Sequence, residues 1–380
     1  MNGPVKVLMV AEGSGGHLIP ALEVADQLSR SGARVKVWYA SRPQTAPLVP
    51  ALVQGMDGAV EVEPMPGGGR GSWGRLWHCA QLWSGAQRCL ERFQPDVIVG
   101  FGGWVSVPVM LAARLRRRRT LLHEQNAVLG RANRWLSHWV DRVAVSFQPA
   151  TADLPTLRTV ITGMPVRPAI GRSVRAVMAE RFGLDPCRPT LLVLGGSQGS
   201  RTINRLLAAA TELMTPQERR LWQWLHLTGS VDAPRVSGAY AAHQIRAAVA
   251  PFVPDMETAY ALADVVIGRA GASTLAELAR CGKPAILIPY PHAGGHQRAN
   301  ARLVEQVDGG VVLEESRTTA ARLLQEVRRL MGDDALRTAM GERMRRLCVP
   351  DATTRLARAI LDLPSREPAR TEHRAADAWR

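Results

Sequence analysis

Three glycine-rich turns hold the residues whose types and spacing are best suited to chemistry. They lie in VLMVAEGSGGHLIP at residues 7–20, GFGGWVSVP at residues 100–108 and VLGGSQGS at residues 193–200. Glycine lets the backbone bend sharply and lets a ligand approach it closely. A helix that begins after such a turn presents free N–H groups and a partial positive charge, which suit a phosphate. The turns therefore predict binding of a phosphate-bearing ligand.

The histidine that ends the first turn, His17, is a candidate general base. The field at a helix N-terminus disfavours the imidazolium, so we expect the ring to stay neutral. A neutral imidazole at the mouth of a cleft can take a proton from a hydroxyl. A histidine that only caps the helix, or is held by a hydrogen bond, fits the same spacing.

The dinucleotide fingerprint G-x-G-x-x-G fails at the first turn. Gly13 and Gly15 match it, but Leu18 stands at the third position and no acidic residue ends the second strand at Ala40. In the third turn Ser197 could donate to a phosphate, or the turn could be structural, with Ser200 as the next N-cap. A glycine turn alone therefore does not identify the ligand.

Apolar strands alternate with helices and place these turns at strand ends. Strands are expected at 5–12, 33–40, 96–103, 120–127 and 141–147, with an amphipathic helix at 17–32, and the alternation restarts after 159–168. The stretch 190–200 is expected to be a strand that runs into a glycine turn, and further strands are expected at 221–229, 245–253, 263–271 and 284–291. The alternation predicts an α/β fold of two Rossmann-like domains with parallel sheets. Ligands bind at the carboxyl ends of such strands, so the cleft between the domains is the expected site.

The composition is that of a globular protein with a basic surface. The 380 residues are 46% hydrophobic and 21% charged, and no apolar run is long enough for a transmembrane helix. The first residues read as a strand rather than a signal peptide. Five cysteines without CxxC spacing favour a reducing compartment. The net charge of +15 suits phosphorylated substrates or an anionic membrane, whereas the aromatic and basic pattern of nucleic-acid binding is not found.

Six motifs together resemble one enzyme family. They are EGSGGHLIPA, GFGGWVSVP, LLHEQNAVLGRANR, TGMPVR, VLGGSQGSRTIN and GRAGASTLAELARCGKPAILIPYPHAGGHQRANA, and they run in order through residues 5 to about 350. The sequence is similar to the bacterial cell-wall glycosyltransferase family MurG. The resemblance implies a GT-B fold in which the C-terminal domain holds UDP-GlcNAc and the N-terminal domain holds a lipid-linked acceptor. It also implies transfer of GlcNAc, with inversion, to the 4-hydroxyl of MurNAc in undecaprenyl-pyrophosphoryl-MurNAc-pentapeptide (lipid I), which makes lipid II for peptidoglycan.

The resemblance also implies roles for individual residues. His17 is the histidine of the first glycine loop, Glu277 resembles a carboxylate that binds the ribose hydroxyls, and Gln297 matches a glutamine near the donor sugar. The other expected substrate-binding positions are Ser14, Gly15, Gly16, Asn126, Arg167, Ser197, Val253, Ala272, Ser273, Thr274, Leu275 and Ala276. Contacts with the acceptor or the sugar are expected from Gly102, Gly103 and His296.

Two of these residues have a competing structural interpretation, and the sequence departs from the family pattern at several positions. Thr274 and Glu277 have the spacing of a capping box, and Arg167 could pair with pyrophosphate or stay solvated. The first turn reads EGSGGH where the family usually has GGTGGH. Met164 replaces a usual asparagine, and the Gly294–Gly295 pair stands where acidic residues are common.

We expect no required cofactor and no metal, with UDP-GlcNAc as a substrate. The departing diphosphate needs positive potential, which glycine-turn N–H groups and helix N-termini supply. No D-x-D sequence, which metal-dependent transferases of another fold use to hold Mg²⁺, is present.

Domain and membrane predictions follow from the same resemblance. Residues 1–162 are expected to form the acceptor and membrane side, 163–350 the donor domain, 351–364 a helix on the N-terminal domain, and 365–380 a disordered tail. A polyprenyl-linked acceptor stays in the bilayer, so we expect a peripheral protein on the cytoplasmic face of the inner membrane, with other cell-wall synthesis proteins as further partners. The Trp- and Arg-rich stretches 69–93, 113–119 and 134–142 suit an anionic membrane surface, with core packing as the alternative.

Two other functions stay open on the sequence pattern. Another GT-B enzyme, acting on a different lipid or as a UDP-N-acetylglucosamine epimerase, would share the fold, although HEQN and TGMPVR favour the cell-wall transferase. A basic nucleotide- or nucleic-acid-binding protein without catalysis would bind DNA in a salt-dependent way and gain no heat protection from UDP.

Overall fold

The computed structural model describes residues 3–41, 49–54, 56, 60–65, 72–152, 154–196, 199–292 and 294–363, with the backbone alone for residues 51 and 72–79. Ser197, the tail 365–380 and the side chains of residues 69–79 therefore lie outside the described residues.

The first half of the chain forms a parallel sheet, with seven strands among the described residues. The strands are β1 Lys6–Glu12, β2 Arg34–Ala40, β3 Val60–Pro64, β4 Val97–Gly100, β5 Arg119–Glu124, β6 Arg142–Val145 and β7 Thr159–Ile161. Their order in the sheet is β3-β2-β1-β4-β5-β6-β7. The helices of this half are α1 Gly15–Arg30, α2 Val49–Val53, α3 Ser72–Phe93, α4 Ser106–Leu115 and α5 Arg131–Leu136, with short 3-10 helices at Gln148–Thr151 and Thr156–Arg158.

The second half repeats this plan with six parallel strands among the described residues. The strands are β8 Thr190–Leu194, β9 Gln223–Leu227, β10 Ala247–Ala250, β11 Val265–Gly268, β12 Ala285–Leu287 and β13 Gly310–Val312. Their order is β10-β9-β8-β11-β12-β13. The helices are α6 Arg175–Arg181, α7 Arg201–Glu212, α8 Pro216–Leu221, α9 Ala233–Ala242, α10 Met256–Leu262, α11 Ala272–Cys281, α12 His296–Gln306, α13 Ala320–Met331 and α14 Asp334–Arg345, with a 3-10 helix at Glu315–Arg317.

Burial explains why these segments become strands and helices. The residues between Val7 and Ala11 of β1 are fully buried, as expected for a parallel strand covered on both faces. Helix α1 buries one stripe that includes Leu18, Leu22 and Leu28, and it turns its polar face away. The predicted α/β fold with two Rossmann-like domains is confirmed.

The strand order reverses beside the first strand of each sheet. β1 lies between β2 and β4, and β8 lies between β9 and β11. The carboxyl ends of strands at such a switch point form a crevice for ligands. In this chain the carboxyl ends at the two switch points are those of β1, β4, β8 and β11, and each of these strands is followed by a glycine-rich turn.

The chain crosses between the two sheets twice, and the two crossings touch. The first crossing passes Gly163, where an added Cβ would lie only 2.5 Å from Cβ of Val349 in the second. After the second crossing, helix α15 Ala352–Leu361 packs on α1. Its Leu356 and Ile360 are fully buried in the core of the first sheet. Because of this return, the core of the first sheet contains residues from both ends of the chain.

Candidate active site

The first and second glycine turns meet around His17. Nδ1 of His17 lies 3.5 Å from Oε2 of Glu12, the last residue of β1. A Cβ on Gly102 would lie 3.7 Å from Nε2 of His17, and a Cβ on Gly103 would lie 2.9 Å from Oε2 of Glu12. Both glycines have positive φ angles, +85° and +81°, which other residues rarely adopt. The backbone of the second turn is therefore packed directly against the Glu12–His17 pair.

The N-termini of two helices from different sheets face each other across the cleft. A Cβ on Gly16, in the first turn of α1, would lie 3.9 Å from Oγ of Ser273 in the first turn of α11. Neither helix has a side-chain cap: Ser14 makes no capping hydrogen bond, and α11 begins after Gly271. The Ser273 hydroxyl is buried and has no hydrogen-bond partner within the described part of the chain. Together these groups form a cradle of uncommitted donors suited to an anionic ligand.

Glu277 lies one turn further along α11 and does not cap the helix. The capping-box alternative is wrong, because the N-cap is Gly271 and Thr274 is already the third helical residue. Instead, the Tyr260 hydroxyl donates a hydrogen bond of 2.8 Å to Oε2 of Glu277. Desolvation raises the pKa of Glu277 to about 7, against the lowering effect of the Tyr260 hydrogen bond and of Arg167.

Arg167 lies in the first crossing and is held by the second domain. Its Nη1 donates to the carbonyl oxygen of Pro254 at 2.7 Å and lies 3.6 Å from Oε2 of Glu257. Its positive charge also acts on Glu23 of α1, whose pKa burial nevertheless raises to about 7. Arg167 is therefore not simply solvated, and its contact with pyrophosphate stays a prediction.

A fully buried asparagine of α12, Asn300, links the two domains. Its Oδ1 accepts from the N–H of Ala127 at 2.8 Å, and its Nδ2 donates to Oδ1 of Asn126 at 3.1 Å and to the carbonyl oxygen of Ala270 at 3.0 Å. The amide of Asn126 also donates to Oε1 of Glu124, so it is engaged on both sides. The expected donor contact of Asn126 stays a prediction, but its interdomain role is visible.

The first turn of α12 holds two further predicted residues, and a glycine pair precedes it. Oε1 of Gln297 accepts from the N–H of Tyr290 at 2.8 Å, and Nδ1 of His296 is buried without a partner among the described residues. Gly294 and Gly295 have φ angles of +59° and +83°. Glycine rather than an acidic residue therefore suits this loop conformation.

The third glycine turn is closely packed against backbone. A Cβ on Gly195 would lie 2.1 Å from N of Ser200, and one on Gly199 would lie 1.9 Å from the carbonyl oxygen of Thr228. Ser200 is the N-cap of α7 and also accepts from Nη2 of Arg269 at 2.8 Å. Val253 is buried in the core, so a ligand contact there would come from its main chain. Packing thus accounts for both glycines whatever the turn binds.

A cavity of about 330 Å³ lies between the domains, away from these helix N-termini. It adjoins the C-terminal half of α1 and is lined by Glu23, Met164, Ala276, Arg280 and Val349, among others. Of the predicted site residues only Ala276 lines it, so it is distinct from the cleft. Met164 is 5% exposed, and its sulfur accepts a hydrogen bond from the Ser146 hydroxyl.

Sequence reasoning missed three residues of this region. Glu12 was visible only as a departure in the EGSGGH motif, and Asn300 lay unassigned in HQRAN. Tyr260 gave no signal, since an aromatic residue in an apolar helix usually indicates core packing. The partners of all three become apparent only when strand ends from different parts of the chain come together.

Within the described ranges, no group of three or more His, Cys, Asp and Glu side chains is placed to hold a metal ion. The same ranges contain no helix with the length and apolar character needed to cross a bilayer.

Two doubly wound parallel sheets, with helix N-termini from both meeting in one cleft, define the GT-B class of glycosyltransferase fold. The family models described as glycosyltransferase family 28 N-terminal and C-terminal domains match residues 7–145 and 190–356. The chain belongs to glycosyltransferase family 28 and, within it, to the MurG family that its motifs indicated.

Several named relatives match along nearly the whole chain. The UDP-N-acetylglucosamine--N-acetylmuramyl-(pentapeptide) pyrophosphoryl-undecaprenol N-acetylglucosamine transferase of Rhodospirillum rubrum is 39% identical, over 94% of this chain and 92% of that protein. The protein of the same name from Nitrosococcus oceani is also 39% identical, over 95% and 99%. The crystal structure of Acinetobacter baumannii MurG matches with a TM-score of 0.74 at 29% identity, over 94% of this chain and 99% of that one. A UDP-GlcNAc 2-epimerase from Neisseria meningitidis, at 12% identity and a TM-score of 0.70, shares the fold alone.

Proposed function

We propose that this chain transfers GlcNAc from UDP-GlcNAc to the 4-hydroxyl of MurNAc in lipid I, with inversion, and so makes lipid II. Its relatives, at up to 39% identity, carry the name of that activity. The single structural observation that carries the proposal is the meeting of the α1 and α11 N-termini beside His17. Chemistry that splits a nucleoside diphosphate from a sugar needs such donors on the leaving group and a base on the other side.

The donor half of the site is built from α11 and the turns at the ends of β8 and β11. The pyrophosphate accepts hydrogen bonds from main-chain N–H groups at the N-terminus of α11 and from the Ser273 hydroxyl. The ribose hydroxyls bind to Glu277, whose Oε2 is already oriented by Tyr260. Gly15 and Gly16 of α1 reach the donor from the opposite wall. Gln297 contacts the sugar.

The acceptor half is the pair of glycine turns around His17. Nε2 of His17 takes the proton from the 4-hydroxyl while that oxygen attacks C1 of GlcNAc from the face opposite UDP. The bond between C1 and the diphosphate oxygen breaks, and UDP leaves with the electron pair. Helix-terminal N–H groups stabilise the charge that builds up on the diphosphate.

Radiolabelled UDP-GlcNAc and a lipid-linked muramoyl acceptor test this assignment. Label should enter the lipid fraction, and His17→Ala should lower kcat by roughly 100-fold or more, the usual contribution of a general base. UDP affinity should stay within about twofold, because His17 acts on the acceptor. His243→Ala, at the C-cap of α9 away from the cleft, is the matched control and should keep full rate. A full rate for His17→Ala would refute the base assignment.

We further propose that the N-terminal domain docks on an anionic bilayer at the cytoplasmic face of the inner membrane. Three tryptophans on α4, α5 and their flanking turns are exposed: Trp104 by 64%, Trp135 by 43% and Trp139 by 52%. Trp104 directly follows Gly103, which packs on Glu12 beside His17. The basic run after α4 leaves Arg116 and Arg117 exposed. Trp83 of α3, by contrast, packs on the core, in line with the alternative interpretation.

Vesicle co-sedimentation tests the docking proposal. The protein should bind vesicles that contain phosphatidylglycerol better than pure phosphatidylcholine vesicles, and salt should weaken the binding. A Trp135→Ser/Trp139→Ser variant should bind less, whereas Val231→Ser, at a 74% exposed valine of the second domain, should bind normally. If the tryptophan variant binds vesicles as well as the Val231→Ser control, the membrane-binding surface lies elsewhere.

A further inference from the structure

Glu12 is a carboxylate that the reaction described above does not use, and it is packed against the proposed base. Its Oε2 lies 3.5 Å from Nδ1 of His17. Nδ1 is buried and makes no hydrogen bond within the described residues. A separation of this size is common in ligand-free sites, where catalytic hydrogen bonds shorten once substrate is bound.

The backbone of Gly103 also packs against Glu12. An added Cβ at Gly103 would lie 2.9 Å from Oε2 and 3.1 Å from Cβ of Glu12, so the glycine backbone sits directly against the carboxylate. Gly103 is brought there because β4 pairs with β1, in the register Val10 to Gly100. The space for this side chain therefore depends on glycine in a turn from a different part of the chain.

The other ring nitrogen of His17 lies beside the second glycine turn. A Cβ on Gly102 would lie 3.7 Å from Nε2, so the ring lies with one nitrogen toward Glu12 and the other toward the glycine turn that precedes Trp104. Such a division of the two nitrogens is what a base needs, because a donor bond from Nδ1–H leaves Nε2 free to accept a proton.

We propose that Glu12 is a positioning residue for His17, an inference that rests on the function proposed above. The carboxylate accepts the Nδ1–H bond, which holds the ring and selects the tautomer with an unprotonated Nε2. When Nε2 takes the proton of the acceptor hydroxyl, the negative charge of Glu12 stabilises the imidazolium that forms. The electron pair of the O–H bond goes to the new bond with C1, and UDP leaves with the pair of the broken bond.

The pH profile of the reaction depends on the charged groups around His17. The titratable groups recorded beside it are Glu12 on β1 and His123 on β5. His123 is completely buried, and desolvation lowers its pKa to about 4, so it stays neutral near neutral pH. Glu12 is therefore the neighbour whose charge the test removes.

The test measures the pH dependence of kcat for Glu12→Gln and Glu12→Asp. UDP-GlcNAc is kept at a saturating concentration, so that the ionisation of Glu277 does not limit binding of the donor. Glu12→Gln keeps the side-chain size and removes the charge. It should lower kcat roughly tenfold and move the acidic limb of the profile to lower pH, because the cation that forms in the reaction loses its neighbouring carboxylate. Glu12→Asp restores the charge and should keep the limb at its wild-type position. Glu61→Gln, on edge strand β3, is the control and should change neither quantity.

A His17→Ala background separates this inference from the proposed function. Glu12→Gln should have no further effect on kcat there, because both changes act on one base. If His17→Ala is slow but Glu12→Gln retains the wild-type rate and limb, the positioning role is refuted while the base stands. If His17→Ala retains the full rate, the base itself is refuted. An unshifted limb with lower thermal stability in Glu12→Gln would show a purely structural role and would also overturn the proposal.

Discussion

The buried interdomain asparagine allows a sharp prediction about how the site is assembled. Asn300→Ala removes the hydrogen bonds to Asn126, Ala127 and Ala270, which lie 3.1, 2.8 and 3.0 Å away. At about 1 kcal/mol for each bond, the free energy of unfolding should fall by roughly 3 kcal/mol. The N–H of Ala127 and the carbonyl of Ala270 would also be left without their present partner.

Gln223→Ala is a matched control at the other end of the second sheet. Gln223 is fully buried at the start of β9 and makes bonds to the N–H and carbonyl of Asp185 and to Oγ1 of Thr190. The variant therefore loses the same types of partner and should lose a similar stability of about 3 kcal/mol. It lies at the amino ends of the strands, far from the cleft.

The two variants should differ in UDP affinity. Asn300 fixes Ala270, directly before the N-cap of α11, against the segment that follows β5. Without this link a smaller fraction of molecules has both walls of the cleft in place, so the apparent Kd for UDP should rise about tenfold or more. Isothermal titration calorimetry measures the Kd, and chemical denaturation measures the stability. If both variants bind UDP equally well, the link does not organise the donor site.

Three further predictions test the titrating carboxylates and the crossing point. In the wild type, uridine should bind more tightly as pH rises through about 7, the pKa of Glu277, because the ionised carboxylate accepts hydrogen bonds from both ribose hydroxyls. Glu277→Gln should remove this pH dependence, and uridine is used because it has no phosphate to titrate. A pH dependence that remains in the variant would contradict the ribose assignment. The pKa of Glu23 in the folded protein is about 7, above its usual value of 4.5, so the free energy of unfolding should fall as pH rises between these values. Glu23→Gln should therefore raise the free energy of unfolding by up to about 3 kcal/mol at pH 8 and by little at pH 4. An equal increase at both pH values would exclude this cause. Gly163→Ala should lower the stability measured by thermal unfolding by about 2 kcal/mol or more, because φ is +82° and Val349 is 2.5 Å from the new Cβ. Gly238→Ala, which has open space around it in α9, is the control and should not lose stability. Unchanged stability in Gly163→Ala would contradict the tight crossing.

The sequence was sufficient for the fold because its strands are buried on both faces. Continuous apolar runs such as VKVLMVAE and TLLVLGG mark β1 and β8 without reference to any partner. β3, β7 and β13 were missed because edge strands have weaker patterns: β3 reads VEVEP with no buried residue, and β7 and β13 are each only three residues long. Some strand ends were placed too late, as at 284–291, where β12 ends at Leu287, because an apolar continuation looks the same before and after the last hydrogen bond of the ladder.

The site was only partly predictable, since its residues act in pairs that lie far apart in the chain. His17 and Ser273 were found through motifs, but their positions relative to Glu12 and Gly16 depend on strand order. The capping-box interpretation of Glu277 failed because a local spacing cannot show that the helix begins at Ala272, one turn earlier than that spacing needs. Asn300 could not be found locally, because its three partners lie in three other segments.

The return of α15 to the first sheet has a consequence for how the protein is made. Leu356 and Ile360 complete a core whose other residues begin at Val7. During synthesis the amino-terminal half leaves the ribosome long before these positions are translated. Its apolar surface therefore stays uncovered until the entire second half has emerged. A nascent chain stalled after residue 162 should therefore bind chaperones, and supplying the missing helix as a separate peptide should release it.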